Sequence, residues 1–380
     1  MSQPGNARVD PEGLRIALCA AGEIWGGVEQ FIETVALELQ RREAGFVVLL
    51  LNEGALAQRL RESSLPVEVV EGDTKYDPRS AVRIGRALRR HRIGVVHVHG
   101  YKASILAGTA AKLQGLTLVK TEHGRLEPFT GWGRVKMTMN LWLDETLSRR
   151  LLDAIVFVSR DIQRSLADRY RHVHQEVIYN AIRPVEDSTK AEAAPRLTPE
   201  GVFRIGIVGR LKPIKGHEVL LRALARPGMP SAIQVYVFGE GPLLPSLRAL
   251  CAELHLEDRV TFMGFRENMR GYLRQLDAMA MPSLHEGIPY AALEAMSMGV
   301  PLVASDVGGL HEILDHEVDA LLVPAGDPGR LADALTRLVA DADLRARLAR
   351  NARDKVNARF LAAPMVDRYL EVYRRASAGP

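Results

Sequence analysis

The stretch "SLHEGIPYAALEAMSMGVPLVASDVGG", residues 283–309, decides how this chain is read. The preceding "AMAMPS" has the character of a short buried strand, which puts Glu286 at a strand's carboxyl end. Pro289 is predicted as the first helical residue, because the N–H that proline lacks has no partner there anyway. The helix "YAALEAMSMG" then runs to Gly299, a natural left-handed stop. Its first amides, from Ile288 to Ala291, would form an anion site strengthened by the helix dipole. Glu286 stands ahead of those amides, and Glu294 follows about a turn inside. Two readings of the acids are open. Glu286 could cap a helix while Glu294 pairs with a surface cation. Alternatively, two hydroxyl-binding carboxylates flank a phosphate, the pattern a nucleotide-sugar requires.

Moving outward, short β-rich runs alternate with helical patterns almost from end to end. "LRIALCA" (14–20), "GFVVLLL" (45–51), "PVEVVEG" (66–72), "GVVHVHG" (94–100), "LTLVKTEHG" (116–124), "AIVFVSR" (154–160) and "EVIYNAI" (176–182) read as strands of a first half. The alternation stops at "RPVEDSTKAEAAPRLTPEG", residues 183–201, whose prolines and mixed charge mark a linker. It resumes with "VFRIGIVGR", "AIQVYVFGEG", "RVTFMGF", "AMAMPS", "PLVASDVGG" and "ALLVPAG". Strands alternating with helices predict parallel sheets covered on both faces. The fold class is therefore α/β, with two doubly wound, Rossmann-like domains. The expected boundaries are 1–182 for the first, 183–201 for the linker and 202–363 for the second. A helix over about 364–380 is expected to return to the first domain, within a tail that reads as helical over 341–377. Paired sheets of this kind bind ligands at their carboxyl edges, here across an expected cleft.

A second patch lies in "IGIVGRLKPIKGHEVLLRAL", where Arg210 and Lys215 follow the first strand of the second half. Two cations in a loop at a sheet's carboxyl edge suit a diphosphate and would stabilise charge on a leaving group. A pair of ordinary exposed loop cations is the other reading. In the first half, "AGEIWGGVEQF" places Gly26 and Gly27 between strand and helix, allowing a ligand to approach backbone closely. "KTEHG" puts His123 at a strand end, and "VHVHG" puts His97 and His99 on one face. An H-x-H pair can bind metal, but no third ligand in the right context is visible. A sugar or phosphate contact, or a satisfied polar histidine, is the expectation for His123.

The bulk numbers fit this picture and exclude others. A chain of 380 residues, 47% apolar and 25% charged, suits a globular protein of two domains. Cys19 and Cys251 form neither a zinc spacing nor a disulfide framework, and buried free thiols in a reducing compartment are expected. The N-terminal residues lack an apolar signal segment, and "FVVLLL" is strand-length, so a cytoplasmic protein is expected. The net charge of +4 lies entirely in residues 1–190. From Pro78 through Thr121 every charged side chain is basic, a field suited to an anionic partner. Arg79, Arg83, Arg86 and Arg90 also read as the solvated face of a helix whose apolar side carries Val82, Ile84 and Leu88. The segment "WGRVKMTMNLWLDETLSRRLL" interleaves Trp132, Met137, Met139, Leu141 and Trp142 with Arg134 and Lys136. It reads either as a surface that meets an anionic membrane or as an amphipathic core helix. No nucleic-acid recognition module accompanies the charge. No complete G-x-G-x-x-G and no Walker A lysine occurs, which weighs against a dehydrogenase.

Together these segments resemble the retaining glycosyltransferases of the GT-B fold, glycosyltransferase family 4 (group 1). The matching pieces are "GGVEQF", "VHVHG", "TEHG", "AIVFVSRDI", "VIYNAI", "VGRLKPIKGHEVLLRA", "VFGEGP", "VTFMGF", "PSLHEGIPYAALEAMSMGVPLVASDVGGLHEIL" and "ALLVPAGDP", in the family's order over nearly the whole chain. The resemblance implies that Arg210 and Lys215 contact a donor diphosphate, Glu286 the donor sugar and Glu294 the ribose. It implies phosphate contacts from Gly287, Ile288, Pro289, Tyr290 and Ala291, with Gly27 facing the phosphates and His123 near the sugar. The base would lie near Gly239–Gly241 and Phe265–Arg266. No metal or other cofactor is implied. The resemblance further implies a UDP- or GDP-linked hexose as donor and, as acceptor, a glycan or lipid-linked chain of bacterial polysaccharide, lipopolysaccharide or glycolipid synthesis. Attachment at the inner face of the cytoplasmic membrane is left open. A nucleotide-sugar epimerase of the same architecture is the alternative, although no convincing acid/base set for proton abstraction is visible. A sugar-binding protein without turnover is disfavoured by the intact Arg210, Lys215, Glu286 and Glu294. Two departures from the family pattern stand out. Asn180-Ala181-Ile182-Arg183 replaces Asn-Gly-Ile/Val-Asp, and Glu317 occupies a frequent glycine position.

Overall fold

The computed structural model describes residues 13–23, 25–70, 79–124, 133–184, 194–197 and 201–378, without the side chains of 133–137. Most of the linker expected over 183–201 lies outside these residues, as do Trp132 and the side chains of Arg134, Lys136 and Met137. The chain divides into two compact bodies, residues 1–183 with 362–380, and residues 184–361.

The first body holds β1 (Ile16–Ala20), β2 (Phe46–Leu50), β3 (Val67–Val69), β4 (Val95–His99), β5 (Thr117–Glu122), β6 (Ala154–Phe157) and β7 (His174–Val177). They form one seven-stranded sheet in the order β3-β2-β1-β4-β5-β6-β7. Every neighbouring pair is parallel. β1 and β2, near the middle of the sheet, are continuous apolar runs, as strands covered on both faces are. β1, β2 and β4 are buried at every residue. Sheet order reverses at β1, where β2 lies on one side and β4 on the other.

The second body repeats the plan with β8 (Phe203–Val208), β9 (Ile233–Phe238), β10 (Val260–Gly264), β11 (Ala278–Met281), β12 (Leu302–Ser305) and β13 (Leu321–Val323). Their order is β10-β9-β8-β11-β12-β13, again all parallel, with the reversal between β8 and β11. The helix His217–Leu224 buries Leu220, Leu221 and Leu224 in the core of this body. Each such side chain contributes about 1.5–3 kcal/mol.

Several expectations are corrected. The helical tail breaks at Phe360, giving Ala342–Arg359 in the second body and Ala362–Ser377 in the first. The second body accordingly ends at Leu361. On the basic helix Arg79–Arg90, Ile84 and Leu88 face the core, but Val82 is 55% exposed. Ile84 and Leu88 are one turn apart on a single stripe, and Val82 falls outside it. Glu317, at the frequent glycine position, adopts φ +59°, a conformation that costs a non-glycine residue. Its N–H to Ala320 O, at 2.8 Å, and its ion pair with Arg337, at 2.7 Å, hold it there.

Candidate functional site

The stretch 283–309 is built at the switch point of the second sheet. β11 ends at Met281, and the loop after it returns Glu286 to the sheet's carboxyl edge. Glu286 is 8% exposed, and Oε1 accepts from Lys215 Nζ at 2.6 Å and from Ser283 Oγ at 2.7 Å. A buried carboxylate needs such partners, and here they fix its direction. The helix begins at Tyr290, so Pro289 is its N-cap and not its first helical residue. Pro289 has φ −77° and ψ 128°, extended backbone that proline's ring readily accepts. Ala292 N–H and Leu293 N–H close on Pro289 O at 3.1 and 3.4 Å. Pro289 itself supplies no amide, which narrows the anion-binding set predicted over Ile288 to Ala291. Glu294 lies on the same helix, half-buried, and Gly299 ends it with φ +69°.

The Arg210–Lys215 loop reaches the same place from β8. Arg210 is exposed at the strand end, and the Lys215 stem lies over Gly209, with Cδ 3.5 Å from where a Cβ would stand. Leu284 N–H bonds Ile214 O at 2.8 Å, tying the lysine loop to the glutamate loop. Close approach of backbones makes this convergence feasible. A Cβ on Gly216 would lie 1.9 Å from Pro282 O, and one on Gly309 would lie 1.7 Å from Gly287 O. Gly309 N–H donates to Glu286 O at 2.9 Å. Ser283, Gly216 and Gly309 were missed as site residues, although "KG" and "VGG" flanking the two loops were the available signals.

Two further strand ends, those of β9 and β10, bring Gly239 and Phe265 to this edge. Gly239 N–H bonds Gly264 O at 2.9 Å, and a Cβ on Gly239 would meet Gly209 O at 2.1 Å. Phe265 is 40% exposed, and its N–H points to Glu240 Oε1 at 3.5 Å. The second body thus gathers Arg210, Lys215, Gly239, Phe265, Glu286, Gly287, Ile288, Pro289, Tyr290, Ala291 and Glu294 around the carboxyl ends of β8 to β11.

The remaining two residues stand in the first body. Gly27 opens the helix Gly27–Arg41 after an extended Gly26. The turn before it is braced by Lys102, whose buried Nζ bonds Glu23 Oε1 at 2.5 Å. His123 follows β5, and its Nε2 is 3.0 Å from Nδ1 of His99 at the end of β4. His97, on the same face as His99, sits between Thr121 Oγ1 and Tyr373 Oη, each 2.7 Å away. Phe31 packs against all three imidazoles, with ring centroids 5.0–6.1 Å apart. Burial in this apolar setting lowers the pKa of His97 to about 3 and of His123 to about 3, and lowers that of His99 well below its usual value. All three rings are therefore neutral near pH 7. Among the described residues no group of three His, Cys, Asp or Glu could hold a metal ion.

Beside this cluster, Lys120 on β5 is buried against Asp144 at 2.8 Å and Glu122 at 3.3 Å. Asp144 belongs to the helix Gly133–Leu151, whose buried side is polar: Asn140, Asp144 and Ser148. Met139 and Trp142 are exposed, Trp142 by 64%. Over its described side chains, 138–151, the helix therefore turns a polar face inward where an amphipathic core helix would turn an apolar one. Its inner face is drawn to Lys120, and Met139, Trp142 and Leu143 are left exposed. Among the described residues no helix is long and apolar enough to cross a membrane.

Two α/β bodies, each built on a parallel sheet of seven or six strands, have the architecture of the GT-B fold. The chain belongs to glycosyltransferase family 4: the model "Glycosyltransferase Family 4" matches residues 25–186, and "Glycosyl transferases group 1" matches residues 202–341. It is 33% identical over 203 residues to the lipopolysaccharide core biosynthesis glycosyltransferase LpsD of Rhizobium meliloti (strain 1021), covering 52% of this chain and 58% of that protein. The chain thus spans little more than half of that curated relative's length. It is 26% identical over 313 residues to the UDP-Gal:alpha-D-GlcNAc-diphosphoundecaprenol alpha-1,3-galactosyltransferase of Escherichia coli, covering 78% and 79%. The fold matches that of Anabaena HepE in complex with UDP-glucose, with TM-score 0.81, 23% identity, and 95% and 100% of the two chains covered. These similarities do not favour the epimerase alternative.

Proposed function

We propose that the protein is a retaining glycosyltransferase that moves a hexose from a UDP- or GDP-linked donor to a glycan or lipid-linked acceptor of polysaccharide, lipopolysaccharide or glycolipid synthesis. The observation that carries this reading is the Lys215–Glu286 pair, 2.6 Å apart beside the start of the helix Tyr290–Met298. A diphosphate competes with Glu286 for the lysine. Lys215 and Arg210 then hold the phosphates with the amides that open the helix, and the Glu286 carboxylate turns to the sugar hydroxyls. Glu294 accepts from the ribose hydroxyls, while the base lies along Gly239 and Phe265. In the first body, Gly27 and His123 keep the roles that the resemblance gives them, the glycine toward a phosphate and the histidine toward a sugar hydroxyl.

In the transfer step the acceptor oxygen bonds to the anomeric carbon on the face that the diphosphate leaves. The bond from that carbon to the phosphate oxygen breaks, and the departing phosphate takes the acceptor's proton. Fixed cations and a helix N-terminus stabilise the leaving group, so no metal is required. HepE in complex with UDP-glucose and the UDP-Gal-dependent relative support a nucleotide-sugar donor. Exposed Met139 and Trp142 on a helix that ends in exposed Arg149 and Arg150 support peripheral contact with an anionic bilayer at its cytoplasmic side. Nucleic acid has only the charge in its favour as a partner, with no recognition module beside it.

The deciding experiment is a thermal shift with UDP, GDP, ADP and NAD on the wild type, Lys215→Ala and Glu294→Ala. One nucleoside diphosphate should stabilise the wild type, with or without EDTA, and neither variant. A shift that survives both substitutions would refute the site. Once a donor is found, the anomeric proton coupling of the first product reads retention directly.

A further inference from the structure

The histidine pair at the ends of β4 and β5 has a direction. Nδ1 of His99 and Nε2 of His123 share one proton in a hydrogen bond of 3.0 Å, and both rings are neutral. Two tautomer pairs satisfy that bond. In one, His123 Nε2–H donates to His99, and the other His99 proton then sits on Nε2. That atom is buried without a hydrogen-bond partner among the described residues, and His99 is 2% exposed. This arrangement strands an N–H donor in an apolar cage. In the other pair, His99 Nδ1–H donates and leaves only a lone pair at its buried Nε2. Stranded buried N–H groups are rarer than under-satisfied acceptors, and each costs its full desolvation penalty. The second pair is favoured, and it places the proton of His123 on Nδ1.

The His99 ring cannot easily escape this role by turning. It lies 4.2 Å, centroid to centroid, from His97 and 5.1 Å from Phe31. His97 is anchored in turn at both nitrogens, to Thr121 on β5 and to Tyr373 on the last helix. We infer that His99 is a positioning residue that holds His123 as its Nδ1–H tautomer, so that His123 meets the donor sugar as a hydrogen-bond donor and not as a base. This inference rests on the assignment of His123 to the sugar.

The test uses the full chain. Long-range 1H–15N spectra of 15N-histidine-labelled protein, with His123→Ala to assign the signal, read the tautomer of His123 directly. Nδ1–H is expected in the wild type, and Nε2–H would overturn the inference. In His99→Leu the His123 signal should move toward the Nε2–H form, and in His99→Asn, which returns an N–H near the Nδ1 position, it should move back. Calorimetry with UDP and UDP-glucose separates the sugar contact from the nucleotide contacts. His99→Leu should lower the preference for UDP-glucose over UDP about tenfold, leave UDP affinity unchanged, and be rescued by His99→Asn. An unchanged tautomer and preference in His99→Leu, where His123→Ala loses the preference, would sink the positioning role. If His123→Ala instead keeps the preference, the sugar assignment falls, while the spectra still decide the direction of the hydrogen bond. If His99→Leu does not fold, the wild-type spectrum remains decisive.

Discussion

Acid should loosen the first body through its histidine cluster. His97 has its pKa lowered from 6.5 to about 3, chiefly by burial and secondarily by His123. In the unfolded chain the ring takes up a proton below about pH 6.5, whereas the folded ring stays neutral until about pH 3. The unfolded state therefore binds more protons between these limits, and stability falls as pH falls through that window. Above it the ring is neutral in both states and contributes no slope. At pH 5 the unfolded pKa lies about 1.5 units above the solution pH, so His97 alone costs on the order of 2 kcal/mol relative to pH 7. His123 and His99 act in the same direction but not additively, because the three rings touch. The assay is urea unfolding at pH 7 and pH 5 followed by tryptophan fluorescence. Trp25, Trp132 and Trp142 all belong to the first body, so the signal reports that body alone. His97→Asn should be weaker than the wild type at pH 7, having lost part of the bonding to Tyr373 and Thr121. Its further loss at pH 5 should be smaller by on the order of 2 kcal/mol. Equal losses in the two proteins would refute the reasoning, as would a wild type indifferent to this change of pH.

Other perturbations have clear directions. Lys120→Met leaves buried Asp144 and half-buried Glu122 without their cation and should cost about 3–5 kcal/mol in the same fluorescence assay. Gly309→Ala drives a Cβ toward Gly287 O, 1.7 Å away, and must displace the Glu286 loop. It should weaken UDP-glucose binding at least about tenfold in calorimetry, with unfolding of the first body unchanged. Glu317→Gly relieves a positive φ but gives up the exposed pair with Arg337, so its two effects oppose. Its net change should stay within about 0.5 kcal/mol in thermal unfolding, and a loss of several times that would mean the ion pair matters more than the strain.

Except for β7, which runs over His174–Val177 and not 176–182, the sequence by itself determined the α/β class, the strands and the placement of candidate residues at strand ends. Those features are local or periodic. An apolar run of strand length closed by glycine or proline, as in "VVHVHG" or "AMAMPS", announces itself without knowledge of its neighbours. Arg210, Lys215, Glu286 and Glu294 were legible for the same reason, since each follows a recognisable strand or lies on a recognisable helix. Tertiary structure decided which of them touch. Nothing in the spacing of Lys215 and Glu286 states that they share a hydrogen bond, because that depends on β8 and β11 being sheet neighbours although two strands separate them in the chain. The same holds for Gly309, whose need for no side chain comes from the carbonyl of Gly287. It holds for Tyr373, which reaches His97 across 276 positions of sequence. Spacing likewise left two readings of the segment around Trp142, and the choice follows from Asp144 being drawn inward to a buried lysine on another strand. Hydrophobic period assigns faces where burial is apolar, and it fails where an ion pair sets which side is in.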